Sequence, residues 1–406
     1  MGRNVTPAPS TGRKSFCACD FRPVDGRVYF GPVTTPWVRT PESLVRLARS
    51  LEGCRVIGLD TESDSLYHHF DKVCLIQLAT DRGEAFLVDT LAVRDLSPLA
   101  LAMADPALVK VLHGADYDVT TLKRDFGFAF ASLFDTMIAA RLLGRSGIGL
   151  AAVARDELGV TLTKESQKDD WSRRPLTPRQ EAYALADVAH LVRLYERLAA
   201  KLGAVGRLDW LHEECEAVAQ LEPAARRRDP EAYLDVKGAR RLPPRALAAF
   251  RELHAWRERR AEETDTPPFR VLGNESVMRL AERRPRDAAG LREVPGVLPR
   301  LRHQAEELLA AIRRAEELPE SDLPRPARVP RPVVPDAALR RGERLKAWRA
   351  RKAAELQLDV SVVLPQRLID RLAQAGPRDA GGLSEVEGLR RWRREAFGAE
   401  LLAAVS

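Results

Sequence analysis

Two carboxylates stand one residue apart at the end of a short apolar segment. The segment Arg55-Val-Ile-Gly-Leu-Asp60 fits a buried strand, and Thr61-Glu62 continues it. Side chains at positions i and i+2 of a strand lie on the same face, so Asp60 and Glu62 could present two hard oxygen ligands to one cation. An Asp-x-Glu triplet is common by chance, and by itself it predicts a metal site only weakly.

A second acidic group follows another apolar segment, Leu108 to Leu112. The sequence His113-Gly-Ala-Asp-Tyr-Asp118 offers Asp116 and Asp118 at the point where the chain turns helical. Either aspartate could equally be an ordinary helix-start residue that accepts hydrogen bonds from backbone N–H groups.

A third candidate group lies in a long helical segment. Tyr183 and Asp187 are four residues apart, which places them one above the other on one helix face. A tyrosine at this spacing is usually a packed amphipathic residue, and Asp187 could be a surface charge. Because Asp187 immediately precedes an apolar stripe that begins at Val188, we expect it to be partly enclosed.

The elements that must position these residues form a strand-rich segment followed by helices. Residues 73–80 and 84–89 predict a hairpin of two further strands. Helical patterns follow, with one helix start at Thr40-Pro41, and they cover residues 116–126, 135–143, 150–158 and 177–202. Strands with helical cover predict an α/β domain with a mixed sheet over residues 21–205, after a disordered tail at residues 1–20.

An internal repeat occupies the rest of the chain. With a constant offset of 92 positions, Arg279-Leu280-Ala281 matches Arg371-Leu372-Ala373, and Pro285-Arg-Asp-Ala288 matches Pro377-Arg-Asp-Ala380. Prolines between the copies favour an extended spacer. The predicted boundaries are a helical linker at 206–236, a helical domain at 237–318, a Pro-rich linker at 319–336 and a second helical domain at 337–406. Trp256 and Trp348 occupy matching positions, and we expect both to be core residues.

The basic residues are concentrated in the repeated part. Residues 1–236 hold 30 Lys and Arg against 33 Asp and Glu, a net −3, whereas residues 237–406 hold 35 against 25, a net +10. Such a surplus can be a solvated surface, and it is also typical of a region that binds a polyanion. The five cysteines form no CxxC pair, and charged residues interrupt every apolar run before the roughly 20 residues of a bilayer helix. We therefore expect a cytoplasmic protein with no membrane partner.

In this order and at these distances, the acidic groups resemble the three motifs of the DEDD exonuclease superfamily, in its tyrosine-containing branch. Asp60 and Glu62 match the first motif, Asp118 the second, and Tyr183 with Asp187 the third. The family pattern sets the second aspartate five residues after the histidine, and this favours Asp118 over Asp116.

The similarity runs from about Trp37 to Leu202. The duplicated C-terminal unit resembles, more loosely, the HRDC module of RecQ-type helicases, and this combination is typical of the ribonuclease D family. The resemblance implies a ribonuclease H-like 3′–5′ exonuclease domain followed by two small all-α HRDC-like domains. It also implies hydrolysis of RNA from the 3′ end with release of nucleoside 5′-monophosphates, and tRNA precursors as the substrate class.

Four carboxylates in one pocket would raise one another's pKa unless cations neutralise them. Hard oxygen ligands favour Mg²⁺ or Mn²⁺, and two such ions can hold the attacking and leaving oxygens of a phosphoryl displacement. By resemblance, Asp60 would bridge both ions, Glu62 and Asp187 would complete one site, and Asp118 would hold the other ion mainly through water. A phenol is a poor base at neutral pH, so we expect Tyr183 to orient the nucleophile.

Two further residues are candidates for substrate contact. Gln77 touches the terminal nucleotide in the family's pattern, although a polar residue at a sheet edge is an equally good interpretation. His113 could be a catalytic base, since histidine fills the third motif of the sister branch, but its place in the second motif favours a structural role at the strand-to-helix turn.

Two other functions remain open at this stage. The same motifs serve DNA 3′–5′ exonucleases, and RNA preference depends on the domain combination alone. A catalytically inactive nucleic-acid-binding scaffold is a second alternative, although such proteins normally lose at least one carboxylate. The oligomeric state is open, with a monomer favoured.

Overall fold

The computed structural model describes residues 37–163, 165–224, 229–296, 303–326 and 334–406. The strands are β1 (Trp37–Val38), β2 (Val56–Ser63), β3 (Val73–Thr80), β4 (Ala85–Asp89), β5 (Val109–Leu112) and β6 (Leu133–Asp135). The helices of the first half are α1 (Pro41–Leu51), α2 (Ala100–Ala104), α3 (Asp116–Phe126), α4 (Thr136–Leu142), α5 (Leu150–Leu158), α6 (Pro178–Ala189), α7 (Leu191–Ala204) and α8 (Leu208–Ala219). Those of the second half are α9 (Pro244–Glu263), α10 (Pro268–Val271), α11 (Asn274–Arg283), α12 (Ala288–Arg292), α13 (Ala305–Glu316), α14 (Asp336–Leu356), α15 (Val360–Val363), α16 (Gln366–Ala375), α17 (Ala380–Ser384) and α18 (Arg391–Val405).

Five of the predicted segments lie partly or wholly outside the described residues. These are the whole predicted disordered tail, residues 1–20, and residues 21–36 and 164 of the predicted α/β domain, 225–228 of the helical linker, 297–302 of the first helical domain and 327–333 of the Pro-rich linker. Among the residues that the structure describes, no helix is both long and apolar enough to cross a membrane.

The six strands form one mixed sheet in the order β1-β4-β3-β2-β5-β6. The pairs β2–β3 and β3–β4 are antiparallel, whereas β2–β5, β5–β6 and β1–β4 are parallel. The predicted mixed sheet and its β3–β4 hairpin are confirmed. The hairpin does not end the sheet, because the two-residue strand β1 pairs with β4 beyond it. Strand β2 is consequently central, with the carboxyl end of β5 beside it.

The helical segment predicted for residues 177–202 is two helices that meet at His190. Helix α6 packs on β2, β3 and β4, whereas α7 packs on β2, β5 and α4. The junction lies directly over Gly58 of β2, where a Cβ atom would be only 3.0 Å from Leu191 Cβ and 3.2 Å from the Val188 carbonyl oxygen. Glycine at this position lets the helices approach the strand closely enough to hold α6 over the end of β2.

The repeat predicted from the sequence is confirmed as two helical units. The first helical unit, α9–α13, and the second helical unit, α14–α18, each have a separate hydrophobic core. Trp256 and Trp348 are buried in these cores as expected, and their indole N–H groups donate at 2.7 Å to Glu307 and Glu400 respectively. Equivalent contacts in both copies show that the units share one packing arrangement.

Helix α8 joins the sheet to the second helical unit. Its residues Leu211 and Cys215 belong to the core beneath the sheet. On its other side, Trp210 stacks on Trp392 of α18 with ring centroids 4.3 Å apart. The second helical unit is therefore packed directly against the sheet-containing half of the chain.

Candidate active site

Strand β2 and helix α6 bring three carboxylates together. Asp60 and Glu62 lie on β2, opposite Gln77 and Leu75 of β3, and Asp187 lies on α6, which crosses the same face of the sheet. One carboxylate oxygen from each of Asp60, Glu62 and Asp187 lies within 4.8 Å of the others. All three side chains are half-buried, so the cluster is open enough to be reached from solvent.

The fourth carboxylate, Asp118, comes from the first turn of α3. It is buried, and its Oδ1 accepts a hydrogen bond from the hydroxyl of Thr61, the residue between Asp60 and Glu62. Its charge raises the pKa of both Asp60 and Glu62, which places it beside them. We call Asp60, Glu62, Asp118 and Asp187 the carboxylate pocket. Asp116, the alternative in the second motif, is exposed and contributes nothing to it.

The position of Asp118 depends on how the start of α3 is held. The carboxylate of Asp135 accepts hydrogen bonds from the N–H groups of Gly114 at 3.0 Å and Ala115 at 2.8 Å. The same carboxylate accepts from Met137 and Ile138 at the start of α4. Buried backbone donors need such partners, so one side chain fixes the first turns of two helices. His113 adds a contact between its Nδ1 and the Thr136 hydroxyl at 2.8 Å, at the turn where a structural role was expected.

Burial raises the pKa of every acid in the carboxylate pocket, and repulsion by the other acids of the pocket adds to the shifts of Asp60 and Glu62. Burial is the largest cause in each case. It raises the pKa of Glu62 to about 9, of Asp118 to about 7 and of Asp187 to about 6, and it raises the pKa of Asp60 well above its usual range. Without a cation, the pocket therefore resists full ionisation at neutral pH.

Tyr183 lies one helical turn before Asp187 and packs on the indole of Trp171, with ring centroids 6.1 Å apart. Burial, followed by the charges of Asp187 and Glu62, raises its pKa far above the usual value. A hydrogen bond between Tyr183 and Asp187 contributes to the shift. The phenol thus stays protonated, and its hydroxyl is available as a hydrogen-bond donor at the edge of the pocket.

Comparison with known proteins matches two family models to the chain. The model described as 3′-5′ exonuclease covers residues 35–203, and the HRDC domain model covers residues 246–312 and 330–405. Ribonuclease D of Pseudomonas paraeruginosa is 34% identical over 382 residues, which are 92% of this chain and 99% of that protein. The chain belongs to the ribonuclease D family. Its activity class is that of a hydrolytic 3′–5′ exoribonuclease.

Two solved structures, one of a ribonuclease D and one of an RRP6 catalytic core, align with most of this chain. The crystal structure of Escherichia coli RNase D, described as an exoribonuclease involved in structured RNA processing, aligns with a TM-score of 0.65 at 26% identity and covers 92% of this chain and 99% of that one. The catalytic core of RRP6 from Trypanosoma brucei aligns with a TM-score of 0.64 at 31% identity, covering 71% of this chain and 82% of that one. The ribonuclease D fold predicted from the motifs is confirmed.

The carboxylate pocket fits the divalent cations that ribonuclease D family membership implies. Its donors are oxygens alone, which favour hard cations over zinc. Three of them already converge within 4.8 Å. The upward pKa shifts show that cations would relieve the repulsion among these groups, since a bound positive charge favours ionised carboxylates. A divalent-metal site is therefore compatible with every acid in the pocket.

Gln77 does not lie at an edge of the sheet, which was one of the two interpretations considered for it. It is fully buried on β3 opposite Asp60, and neither its amide nitrogen nor its amide oxygen has a hydrogen-bond partner among the described residues. A buried amide without partners is costly, and its position beside Asp60 leaves it available to a group that enters the pocket. Contact between Gln77 and substrate stays a prediction.

Sequence reasoning missed the residues that hold the pocket in shape. The contact of Thr61 with Asp118 was not predicted, because Thr61 faces away from its carboxylate neighbours on the strand and no sequence pattern links it to Asp118. Asp135 ends β6, a three-residue strand too short to show periodicity. It does begin the sequence Asp135-Thr136 before a helix, which is a recognisable N-cap signal.

The first helical unit contacts the loops that border the pocket. Asp265, between α9 and α10, accepts hydrogen bonds from the Phe70 N–H at 2.9 Å and pairs with His68 Nδ1 at 2.7 Å. His68 Nε2 in turn lies 3.1 Å from the Ser172 hydroxyl. These contacts join the first helical unit to the segments that follow Glu62 and precede Tyr183 in the chain, and the charge of Asp169, in the second of these segments, raises the pKa of Glu62.

Proposed function

We propose that this exoribonuclease trims the 3′ ends of structured RNAs, with tRNA precursors as the substrate class, using two divalent cations, Mg²⁺ or Mn²⁺. The observation that carries the proposal is the convergence of Asp60, Glu62 and Asp187 oxygens within 4.8 Å, with Asp118 beside them. The E. coli relative's role in structured RNA processing supports the substrate class. Three buried free thiols, at Cys54, Cys74 and Cys215, are compatible with the cytoplasmic setting that we propose.

The carboxylates would hold the cations in the arrangement that the family pattern gives. Asp60 would contact both, Glu62 and Asp187 would complete one site, and Asp118 would serve the other. When bound, the cations supply an acidified water and neutralise charge on the attacking and leaving oxygens. The protein's own contribution is to hold these four groups in place, which the Thr61 hydroxyl does for Asp118.

Tyr183 would orient the attacking water by donating or accepting a hydrogen bond. Its raised pKa argues against a general base, because an ionised phenol would be rare at neutral pH. The hydrogen bond with Asp187 directs the hydroxyl toward the pocket. We therefore assign Tyr183 to positioning of the nucleophile.

Replacing Tyr183 with phenylalanine should lower kcat by about 10²-fold and leave metal affinity largely unchanged, since the carboxylates stay in place. Single-turnover hydrolysis of a 3′-labelled RNA measures the rate, and calorimetric titration with Mn²⁺ measures the affinity. Tyr233→Phe, in a buried phenol outside the pocket, is the matched control. Wild-type turnover by the Tyr183 variant would show that this role is wrong.

The basic C-terminal half should supply much of the affinity for RNA. Deletion of residues 237–406, which carry a net +10, is expected to weaken binding of a structured RNA and to flatten its salt dependence. Cleavage of trinucleotides should persist. The deletion uncovers Trp210, so thermal unfolding of the shortened protein must be followed alongside. Equal affinity of the two proteins across a salt series would contradict this assignment.

A parallel degradation assay tests the choice of RNA over DNA. We expect a 3′-extended tRNA to be shortened to nucleoside 5′-monophosphates in Mg²⁺ or Mn²⁺, with a DNA of the same sequence degraded at least about tenfold more slowly. Product analysis by chromatography identifies the released nucleotide. Faster degradation of the DNA strand would favour the DNA exonuclease instead. The domain boundaries predicted from the sequence, 21–205, 237–318 and 337–406, remain part of this proposal.

A further inference from the structure

A second concave site lies between the nuclease half and the second helical unit. It is a cleft of about 380 Å³. One wall comes from the start of α3, from α4 along its length and from α8, and the other comes from α15, α16 and the start of α18. We call it the interunit cleft. Its volume is in the range of natural ligand sites, and nothing described so far gives it a role.

The walls of the interunit cleft are held in fixed positions. Glu214 of α8 pairs with both Arg390 and Arg393 at 2.7 Å and accepts the Trp392 indole N–H at 3.0 Å. Glu213 accepts the backbone N–H groups of Arg391 at 2.6 Å and Trp392 at 2.8 Å, which caps the start of α18. Five charge-assisted contacts and an aromatic stack make this a preformed site.

Two arginines from different units face the interunit cleft without a close ion pair among the described residues, although Arg141 acts electrostatically on Asp116 and Asp359. Arg141 of α4 and Arg367 of α16 are exposed, and neither forms a hydrogen bond or an ion pair with any residue in the described part of the chain. The other two arginines of the lining, Arg390 and Arg393, both pair with Glu214, whose single negative charge offsets one of the two positive charges. Unpaired guanidinium groups in a preformed cleft are well suited to phosphate, which they bind through paired N–H donors.

The acidic groups of the lining do not cancel this charge. The carboxylate of Asp135 is occupied by four backbone N–H groups. Glu214 is satisfied by its two arginines. Asp116 alone lacks such a partner, and it lowers the cationic character near Arg141. The formal charge of the lining is therefore +1, from four arginines, Arg141, Arg367, Arg390 and Arg393, against three acids, Asp116, Asp135 and Glu214.

The first turn of α3 separates the interunit cleft from the carboxylate pocket. Asp116 faces the cleft, and Asp118, two residues later, belongs to the pocket. Asp135 lines the cleft and also holds the turn that places Asp118. Proteins that bind single strands use cationic grooves that follow roughly 4–16 nucleotides of backbone, so a site on the other side of this turn is within reach of a strand bound in the pocket.

We propose that the interunit cleft binds backbone phosphates of the RNA strand upstream of its 3′-terminal nucleotides, through Arg141 and Arg367. This inference rests on the proposed function and adds a site to it. Because the contacts are to phosphate, they fix the position of the strand without selecting its sequence. The second helical unit then contributes to catalysis by completing a substrate site that the nuclease half forms only partly.

The test uses the full chain in EDTA, where RNA is bound without being cleaved. Fluorescence anisotropy with a labelled single-stranded RNA of about 12 nucleotides, across a salt series, compares wild type with Arg141→Ala, Arg367→Ala and the double variant. Each single change should weaken binding about five- to tenfold and lower the slope of log K against log[salt] by about 0.7, and the double variant should lower it by about 1.4. Asp116→Asn should strengthen binding.

Arg378→Ala is the matched control, since Arg378 is an exposed arginine of the same unit outside the interunit cleft. It should keep wild-type affinity and slope within about twofold. Thermal unfolding of each variant shows that the fold is kept. An unchanged slope of log K against log[salt] in the double variant would contradict phosphate binding in the interunit cleft. An equal loss of RNA affinity in Arg378→Ala would contradict it as well. Hydrolysis of a trinucleotide in Mn²⁺ by the wild type is scored separately, and its absence would overturn the proposed function instead.

Discussion

Asparagine in place of Asp60 should abolish hydrolysis, with a loss of about 10⁴-fold or more, equivalent to about 5.4 kcal/mol in activation free energy. Asp60 is the one acid whose pKa is raised by all three of the others, so it lies at the electrostatic centre of the carboxylate pocket. Removing its charge should weaken both cation sites at once, because a neutral amide is a poorer ligand for a hard divalent cation.

Two readouts are needed to attribute this loss to metal binding. Hydrolysis of a labelled RNA gives the rate, and titration with Mn²⁺ followed by calorimetry gives the stoichiometry and affinity. Asp209→Asn, which removes a carboxylate that is 93% exposed on α8, controls for a change in net charge. Retention of wild-type metal stoichiometry by the inactive Asp60 variant would mean that Asp60 acts in another way. Substantial remaining activity would remove the basis of the two-cation proposal.

The sequence predicted the long elements of the fold well because their ends carry local signals. Helices α3 and α5 were predicted at their observed bounds, and each is followed by a glycine, Gly127 and Gly159, whose φ angles of 67° and 70° suit glycine best. Strands β1 and β6 were not predicted as strands, since two or three residues cannot show periodicity. The junction at His190 was also missed, because the apolar pattern continues through it and the cause is contact with Gly58.

For the site, local spacing predicted which side chains share a face but not that the faces meet. The period of a strand pairs Asp60 with Glu62, and the period of a helix pairs Tyr183 with Asp187. Their convergence depends on sheet order and on α6 crossing β2, which come from tertiary packing. The supporting contacts of Thr61 and Asp135, and the interunit cleft, depend entirely on residues distant in sequence. No single-sequence pattern records them.

The pKa shifts in the carboxylate pocket make a second large effect expected, on stability rather than rate. In the unfolded chain these acids titrate near pH 4, whereas in the folded, metal-free protein their pKa values are raised, to about 9 for Glu62 and about 7 for Asp118. Between about pH 4 and these raised pKa values, the folded state binds more protons than the unfolded state. The contribution of these acids to the free energy of unfolding therefore falls as pH rises from about 4 to about 9, by about 1.4 kcal/mol for each unit of pKa shift.

Chelated wild-type protein should consequently unfold at a lower temperature at pH 8.5 than at pH 5.5, and Mn²⁺ should raise that temperature most at the higher pH. Glu62→Gln removes the group with the highest quoted pKa, so in EDTA this variant should unfold at a temperature at least several degrees above that of wild type at pH 8.5. The difference should shrink toward pH 4.5. Scanning calorimetry of both proteins in EDTA and in Mn²⁺ measures it, and subtraction of the two curves cancels the other titrating groups. If both proteins lose stability in parallel as pH rises, the pKa of Glu62 is not raised in the folded protein. The carboxylate pocket then does not need cations to neutralise it.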